Sequence, residues 1–379
     1  MQKLSINILI LFFCLLVSCR GKQADHTLNK GKKVENIYAK GFAIYVNKDY
    51  KRIDIRDPWD TTRVLNSYIL IDNNIKTLPS NLPKAEIVRV PLEKLVVYTS
   101  VHASIVELLG ADSNIVGVCE SRYIDSDKLQ ARLKDGSLAD LGESTSPNIE
   151  KIIDIGTQAI IASPFENSGY GPAEKLKVPI IEGADYMENH PLGRVEWLKL
   201  YAYFLGKEKI ADSIFDATCL RYNTLKTLTQ KVEKRPSVLL ERMYSGQWFV
   251  PAGKSITATL IKDAGANYIF ASIAQSGNLA FSLETILDKG INADFWLFKY
   301  NLTSGNMTYD MFLSDNNAYG RFDAFKNKNI YVCNTGKVPY YEDIPMHPDR
   351  LLKDYISIFH PHLLQDYKYL YFHKMQDKY

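Results

Sequence analysis

Apolar side chains recur through residues 207–232 at Ile210, Ile214, Ala217, Leu220, Leu225, Leu228 and Val232. Steps of three to five put them on one stripe of an amphipathic helix, and Lys and Glu crowd the remaining positions. Pro236 follows soon after and stops the pattern. At ~1.5 Å per residue the stretch spans roughly 39 Å, about the width of a small domain. Upstream of it, short apolar runs alternate with helical stretches. Leu95-Val96-Val97-Tyr98 leads into a helix over 102–109 closed by Gly110, and strands follow at 115–118, 159–162 and 178–181. Downstream the scheme restarts, with strands at 237–240, 267–270, 294–298 and 330–332 and a helix over 256–264. Continuous apolar strands separated by helices indicate parallel sheets covered on both faces. The expected fold is therefore α/β: two Rossmann-like lobes with parallel sheets, joined by one long helix, with a ligand cleft between them.

The halves also share a local pattern. Residues 149–159 (IEKIIDIGTQA) and 283–293 (LETILDKGINA) carry Glu, Ile, Asp, Gly and Ala at one offset. Each reads as a short helix ended by its Gly and followed by a buried strand, which favours two related lobes. Before the first lobe, alternating runs at 41–46, 52–55 and 67–71 predict an antiparallel addition. After the last strand, residues 347–373 read as largely helical. The expected division is 37–92 as an N-terminal β extension on lobe 1, 93–190 as lobe 1, 191–235 as connecting helices and 236–379 as lobe 2.

The first residues change the picture of where the protein works. Lys3 precedes the apolar run Ile8-Leu9-Ile10-Leu11-Phe12-Phe13-Cys14-Leu15-Leu16, which is too short to span a bilayer comfortably. Leu16-Val17-Ser18-Cys19 follows and resembles the bacterial lipobox, whose cysteine becomes the lipid-modified first residue after cleavage. Residues 1–18 are thus expected to be a lipoprotein signal peptide, and polar residues 19–36 a flexible tether anchored through Cys19 to the envelope membrane. Three cysteines remain beyond it, Cys119, Cys219 and Cys333, too few and too scattered for a disulfide framework or a zinc motif. The 379 residues carry 46 basic against 43 acidic groups, a balance that gives no reason to expect nucleic acid as a partner.

Ligands of parallel α/β sheets bind beyond the carboxyl ends of the strands. Those ends supply Thr99, Ser100 and His102; Glu120, Arg122 and Tyr123; Phe165 and Glu166; Arg242, Tyr244 and Trp248; and Lys299 and Tyr300. Aromatic faces with a few cations suit a flat or anionic organic ligand held between two lobes. Trp248 and Tyr123 are the expected flat contacts, and Arg122, Arg242 and Lys299 the expected neutralising charges. Ala252-Gly253-Lys254-Ser255 is no phosphate loop, since its upstream glycine, Gly246, lies too far away. His360-Pro361-His362 lacks the spacing that puts two metal ligands on one helix face, and no paired acid and base or nucleophile motif is present. An enzyme is not expected, nor a resident metal or cofactor.

Ser146-Pro147-Asn148-Ile149-Glu150-Lys151-Ile152, Phe204-Leu205-Gly206-Lys207-Glu208 and Ala252-Gly253-Lys254-Ser255-Ile256 extend the reading. With the lipobox and the lobe–helix–lobe order, the chain over roughly 94–364 resembles the substrate-binding lipoproteins of ABC importers for ferric siderophores, haem and cobalamin. The resemblance implies a metal chelate of iron or cobalt as ligand, and a permease dimer with its cytoplasmic ATPase as partner. It also implies that Glu150, and Glu284 at the matching place in lobe 2, dock on the permease. An anchored scavenger of haem or corrinoids without a permease, or an anchored α/β hydrolase, stays open beside it.

Overall fold

The computed structural model describes residues 31–377; Cys19 and the signal segment lie outside that range. The chain opens with a five-stranded sheet, β1 (Lys32–Val34), β2 (Phe42–Val46), β3 (Lys51–Arg56), β4 (Val64–Asp72) and β5 (Glu86–Val90), ordered as numbered. All pairings are antiparallel except β4 with β5. Period-two alternation turns Phe42, Ile44, Ile53 and Ile55 inward. They share one core with the first α/β lobe.

That lobe has five parallel strands, β6 (Leu95–Val97), β7 (Ile115–Val118), β8 (Ala139–Asp140), β9 (Ala159–Ala162) and β10 (Ile180–Glu182), in the order β10-β9-β6-β7-β8. The central strands β6 and β9 are buried along their whole length, which explains their unbroken apolar sequences. The second lobe contributes β11 (Ser237–Leu240), β12 (Met243–Tyr244), β13 (Gln247–Pro251), β14 (Asn267–Tyr268), β15 (Asn278–Phe281), β16 (Phe295–Tyr300), β17 (Ile330–Asn334) and β18 (His373–Lys374). Its main sheet runs β14-β11-β16-β17-β18, parallel except for β18, while β12, β13 and β15 form a small antiparallel sheet. Both main sheets reverse their strand order beside their first strand, at β6/β9 and at β11/β16. A crevice opens at such points, beyond the carboxyl ends.

Two helices, Pro191–Leu205 and Glu208–Leu228, join the lobes around a left-handed Gly206 (φ 66°). The second is the expected linker, about 31 Å long at 1.5 Å per residue. Its buried line is not the expected one. Ala211, Phe215, Thr218 and Tyr222 face inward, whereas Ile210, Ala217, Leu220 and Leu228 are exposed, with Leu220 at 71%. Both lines have helical spacing, and the packed neighbours select the one carrying the aromatic rings. Phe215 enters the core of lobe 1 and Tyr222 that of lobe 2, where its hydroxyl donates to Asp263 at 2.8 Å.

The paired segments also diverge. Helices Ile149–Asp154 and Leu283–Gly290 start alike, capped by Asn148 and Ser282, with Glu150 and Glu284 each second in the helix. Gly156 then ends the first in a left-handed turn (φ 70°), as expected, but Gly290 is the last residue of the second helix. An added Cβ there would lie 2.9 Å from the end of the Ile269 side chain, which would have to shift to admit it. The expected long C-terminal helix is shorter as well. It covers Pro348–Phe359, and Pro361, which lacks an amide hydrogen, follows at a short 3-10 turn before the return strand β18. Cys119, Cys219 and Cys333 are free thiols. No helix among the described residues is long and apolar enough to cross a membrane.

Candidate functional site

On the lobe 1 side, β6 delivers Tyr98 and Thr99 to the crevice. Thr99 caps helix Ser100–Leu108 by accepting the His102 amide hydrogen at 3.2 Å, which leaves Ser100 at the helix start, facing lobe 2. His102 is not in the cleft. It is buried, with Nε2 3.3 Å from Asp185, and Asp185 also accepts from Arg194 at 2.9 Å and Tyr201 at 3.0 Å. Burial opposes ionisation of Asp185, but Arg194 and His102 outweigh it and hold the carboxyl well below the usual range. The one-turn step from Thr99 therefore carries His102 into an internal charge network.

After β7 the backbone turns through a left-handed Glu120 (φ 53°) and presents Arg122 and Tyr123. Tyr123 is 55% exposed, and the Arg122 guanidinium lies over its ring at 4.7 Å. Arg122 is already engaged, donating to both oxygens of Glu143 at 2.6 and 3.0 Å and to Glu120 at 3.3 Å. Glu120 in turn accepts the Ser144 amide and hydroxyl at 3.1 and 2.9 Å. Phe165, after β9, is 62% exposed and leans on Tyr186 with centroids 6.1 Å apart. Glu166 beside it is exposed.

Lobe 2 answers with Glu241, also left-handed (φ 62°), which pairs with Lys299 at the end of β16. Arg242 pairs with Asp315 at 3.1 Å, and Tyr244 projects with 70% exposure. The three expected neutralising cations are thus each taken up by a carboxylate of this chain. Two expected contacts belong to the core. Trp248 is fully buried, stacked on Trp296 at 5.4 Å, with its indole donating to the Leu240 carbonyl at 3.0 Å. Its place on β13 explains this, since inward and outward residues alternate there. Tyr300 is buried, and its hydroxyl accepts the Met307 amide hydrogen at 3.2 Å.

The sequence reading missed the residues that close the cleft. Helix Tyr340–Asp343, shortly after β17, reaches across to lobe 1. The Ser100 hydroxyl donates to the Glu342 carboxylate at 2.7 Å and the Ser104 hydroxyl to the Glu342 carbonyl at 3.0 Å. Met346, just beyond, is buried in the core of lobe 1. Under this crossing lies a cavity of about 220 Å³ walled by Tyr98, Tyr123 and Tyr341 with Glu120 and Glu342. Tyr98 carries a buried hydroxyl without a hydrogen-bond partner, and Tyr341 is 54% exposed. The signal was present: 330–332 reads as a strand, and following its carboxyl end leads to Tyr340-Tyr341-Glu342. The cleft serines, Ser100 and Ser144, both donate to carboxylates. Among the described residues no group of three His, Cys, Asp or Glu is placed to hold a metal ion.

Two α/β lobes meeting strand end to strand end over an aromatic cleft define a class of solute-binding folds. The chain belongs to the periplasmic binding protein family, whose profile matches residues 95–335. It is 28% identical, over 76% of its length and 70% of the relative's, to an uncharacterized lipoprotein of Methanocaldococcus jannaschii. Solved structures share the fold. A possible iron-binding periplasmic solute-binding protein of Staphylococcus epidermidis gives a TM-score of 0.57 at 18% identity, covering 71% of this chain and 99% of that one. The periplasmic vitamin B12 binding protein of Vibrio cholerae gives 0.53 at 14%, covering 73% and 99%. A siderophore-binding protein of the same organism, bound to Fe3+-Desferal, gives 0.53 at 14%, covering 71% and 99%.

The burial pattern separates core from cleft by experiment. Trp248→Ala should destabilise the protein by about 3–5 kcal/mol in urea unfolding, as core aromatic truncations do. Tyr341→Ala should leave stability within about 0.5 kcal/mol, as for a surface substitution. A Trp248 variant of unchanged stability would contradict its place in the core.

Proposed function

We propose that this chain is an extracytoplasmic substrate-binding lipoprotein that captures a metal chelate of iron-siderophore or cobalamin type and delivers it to an ABC importer. The observation that carries the reading is the tyrosine-walled cavity between the β6, β7 and β8 ends of lobe 1 and helix Tyr340–Asp343 of lobe 2, spanned by Glu342 and Ser100. Open aromatic walls suit the broad apolar surface of a chelate, and polar groups between them fix its orientation. The structural likeness to proteins named for iron, Fe3+-Desferal and vitamin B12 supports the same ligand class. Within the earlier list, Ser100, Tyr123, Phe165 and Tyr244 are the contacts this reading retains. Arg122, Arg242 and Lys299 frame the rim through their ion pairs.

Intrinsic fluorescence tests the ligand class. Titration with ferric hydroxamates, haem and corrinoids should quench emission at saturation for at least one class, and Tyr341→Ala should weaken that binding by about 1 kcal/mol or more. Binding of free Zn²⁺ or a sugar with no response to any chelate would refute the reading.

Glu150 and Glu284 are the proposed docking pair for the permease dimer and its cytoplasmic ATPase. Both are exposed, and both are second in helices that start alike. Acidic residues there also favour the helix dipole by a few tenths to about 1 kcal/mol. Two pseudo-equivalent carboxylates can in addition register two equivalent basic sites on a symmetric partner. Glu150→Arg with Glu284→Arg should abolish uptake while folding and chelate affinity stay near wild type. Normal uptake by the double variant would leave the dipole as the sufficient account.

The anchor is proposed at Cys19, in keeping with the lipoprotein name of the archaeal relative. Cys19→Ala should leave the chain unprocessed or released from the membrane fraction, and a variant that fractionates like wild type would rule the anchor out.

A further inference from the structure

The charges around the cleft are not evenly matched. The three cations at the neighbouring strand ends each have a carboxylate: Arg122 with Glu143, Arg242 with Asp315, Lys299 with Glu241. The cavity itself is different, for it is lined by two carboxylates and by no lysine or arginine. Glu342 accepts the Ser100 hydroxyl and has no cation within ion-pair distance among the described residues. Glu120 keeps a partial share of Arg122 at 3.3 Å and is otherwise held by Ser144. Burial works against ionisation of both carboxyls: the Ser144 hydrogen bonds and Arg122 hold that of Glu120 below the ordinary value, whereas burial, opposed by the Ser100 hydrogen bond, raises that of Glu342. Such a cavity places negative charge where a bound molecule is partly shielded from water, so it repels an anion and favours donors.

We propose that the cleft selects chelates of positive or zero net charge that present ammonium, amide or hydroxyl donors to Glu342 and Glu120, and rejects polyanionic chelates. This deepens the chelate reading above and rests on it. The rim cations do not offset the preference, because drawing one toward an anionic ligand would strip a carboxylate of its partner.

The test compares chelates that differ in charge. The lipidated full chain in detergent is titrated by fluorescence with a ferric trihydroxamate bearing a free ammonium, its N-acetylated form, and a ferric tricatecholate. Cationic cobinamide and polyanionic cobyrinic acid form the corrinoid pair. In the class that binds, the cation should bind at least about tenfold tighter than the polyanion, with the acetylated hydroxamate between. Glu342→Gln should narrow the gap and Glu342→Lys should close or reverse it, while thermal melts stay near wild type. If Glu342→Lys melts early, Glu120→Gln, which keeps the shape of the side chain, carries the same comparison. A polyanion bound as tightly as the cation overturns the charge preference and leaves the chelate reading standing. A gap that survives Glu342→Gln combined with Glu120→Gln overturns its assignment to these two carboxylates. No response to any of the five overturns the chelate reading and this inference with it.

Discussion

The structure depends on one helix belonging to two cores. Glu208–Leu228 places Ala211 and Phe215 in the core of lobe 1 and Tyr222 in that of lobe 2, with the buried Thr218 between. Neither lobe can rotate about the helix without pulling an aromatic ring from a packed site, at a cost of several kcal/mol. Ion pairs fix the far end: Arg221 with Asp349 at 2.6 Å and Lys226 with Asp263 at 3.0 Å, both carboxylates being buried. A cleft framed this way is largely formed before a ligand arrives, so little binding energy is lost to ordering it.

Buried carboxylates hold the chain's outer segments to this frame. Glu196, on the helix before the linker, accepts the amide hydrogens of Ile37, Tyr38 and Ala39 at 2.7–2.8 Å through its Oε atoms. Glu188 accepts those of Lys40 and Gly41 and the Trp197 indole. In lobe 2, Asp354 takes the amides of Leu370, Tyr371 and Phe372 and the Tyr367 hydroxyl. Loop amides that no strand satisfies must be satisfied elsewhere when buried. One carboxyl side chain answering three of them replaces a ladder. The N-terminal sheet is thereby fastened to lobe 1, and the C-terminal return strand to lobe 2.

The two α/β lobes, the linker and the buried central strands were legible because continuous apolar runs and helical spacing report burial directly, whereas short or edge strands such as β8, β12, β15 and β18 carry no such run. Which stripe of the linker faces inward was not, since Ile210/Ile214 and Ala211/Phe215 have the same period and only tertiary neighbours choose between them. Strand ends led to Ser100 and Tyr123, which line the cavity, and to the exposed Phe165 and Tyr244, but the rule fixes an end, not a direction. His102 sits one step further into a helix and Trp248 on the inner face of β13, so both turned inward. The ion pairs of Arg122, Arg242 and Lys299 join residues 21–73 positions apart, except for Glu120 beside Arg122. No local pattern marks such partners.

The crossing at Tyr340–Asp343 links the frame to the cleft. Met346 is buried in the lobe 1 core and Ser100 and Ser104 both donate to Glu342, while Tyr340 and Ile344 pack on the lobe 2 core, so this segment ties the two lobes together. The helix from Ser100 starts at the switch point, so its position, the side chain of Glu342 and the width of the cavity form a single geometric quantity. A ligand that competed for Glu342 would release the Ser100 hydroxyl to bond elsewhere, while the backbone bond from Ser104 and the packing of Met346 would keep the lobes joined. The hydrogen bond at the Glu342 carboxylate can therefore change without the cleft coming apart, so a rigid two-lobe protein can exchange a partner at the proposed site without domain closure.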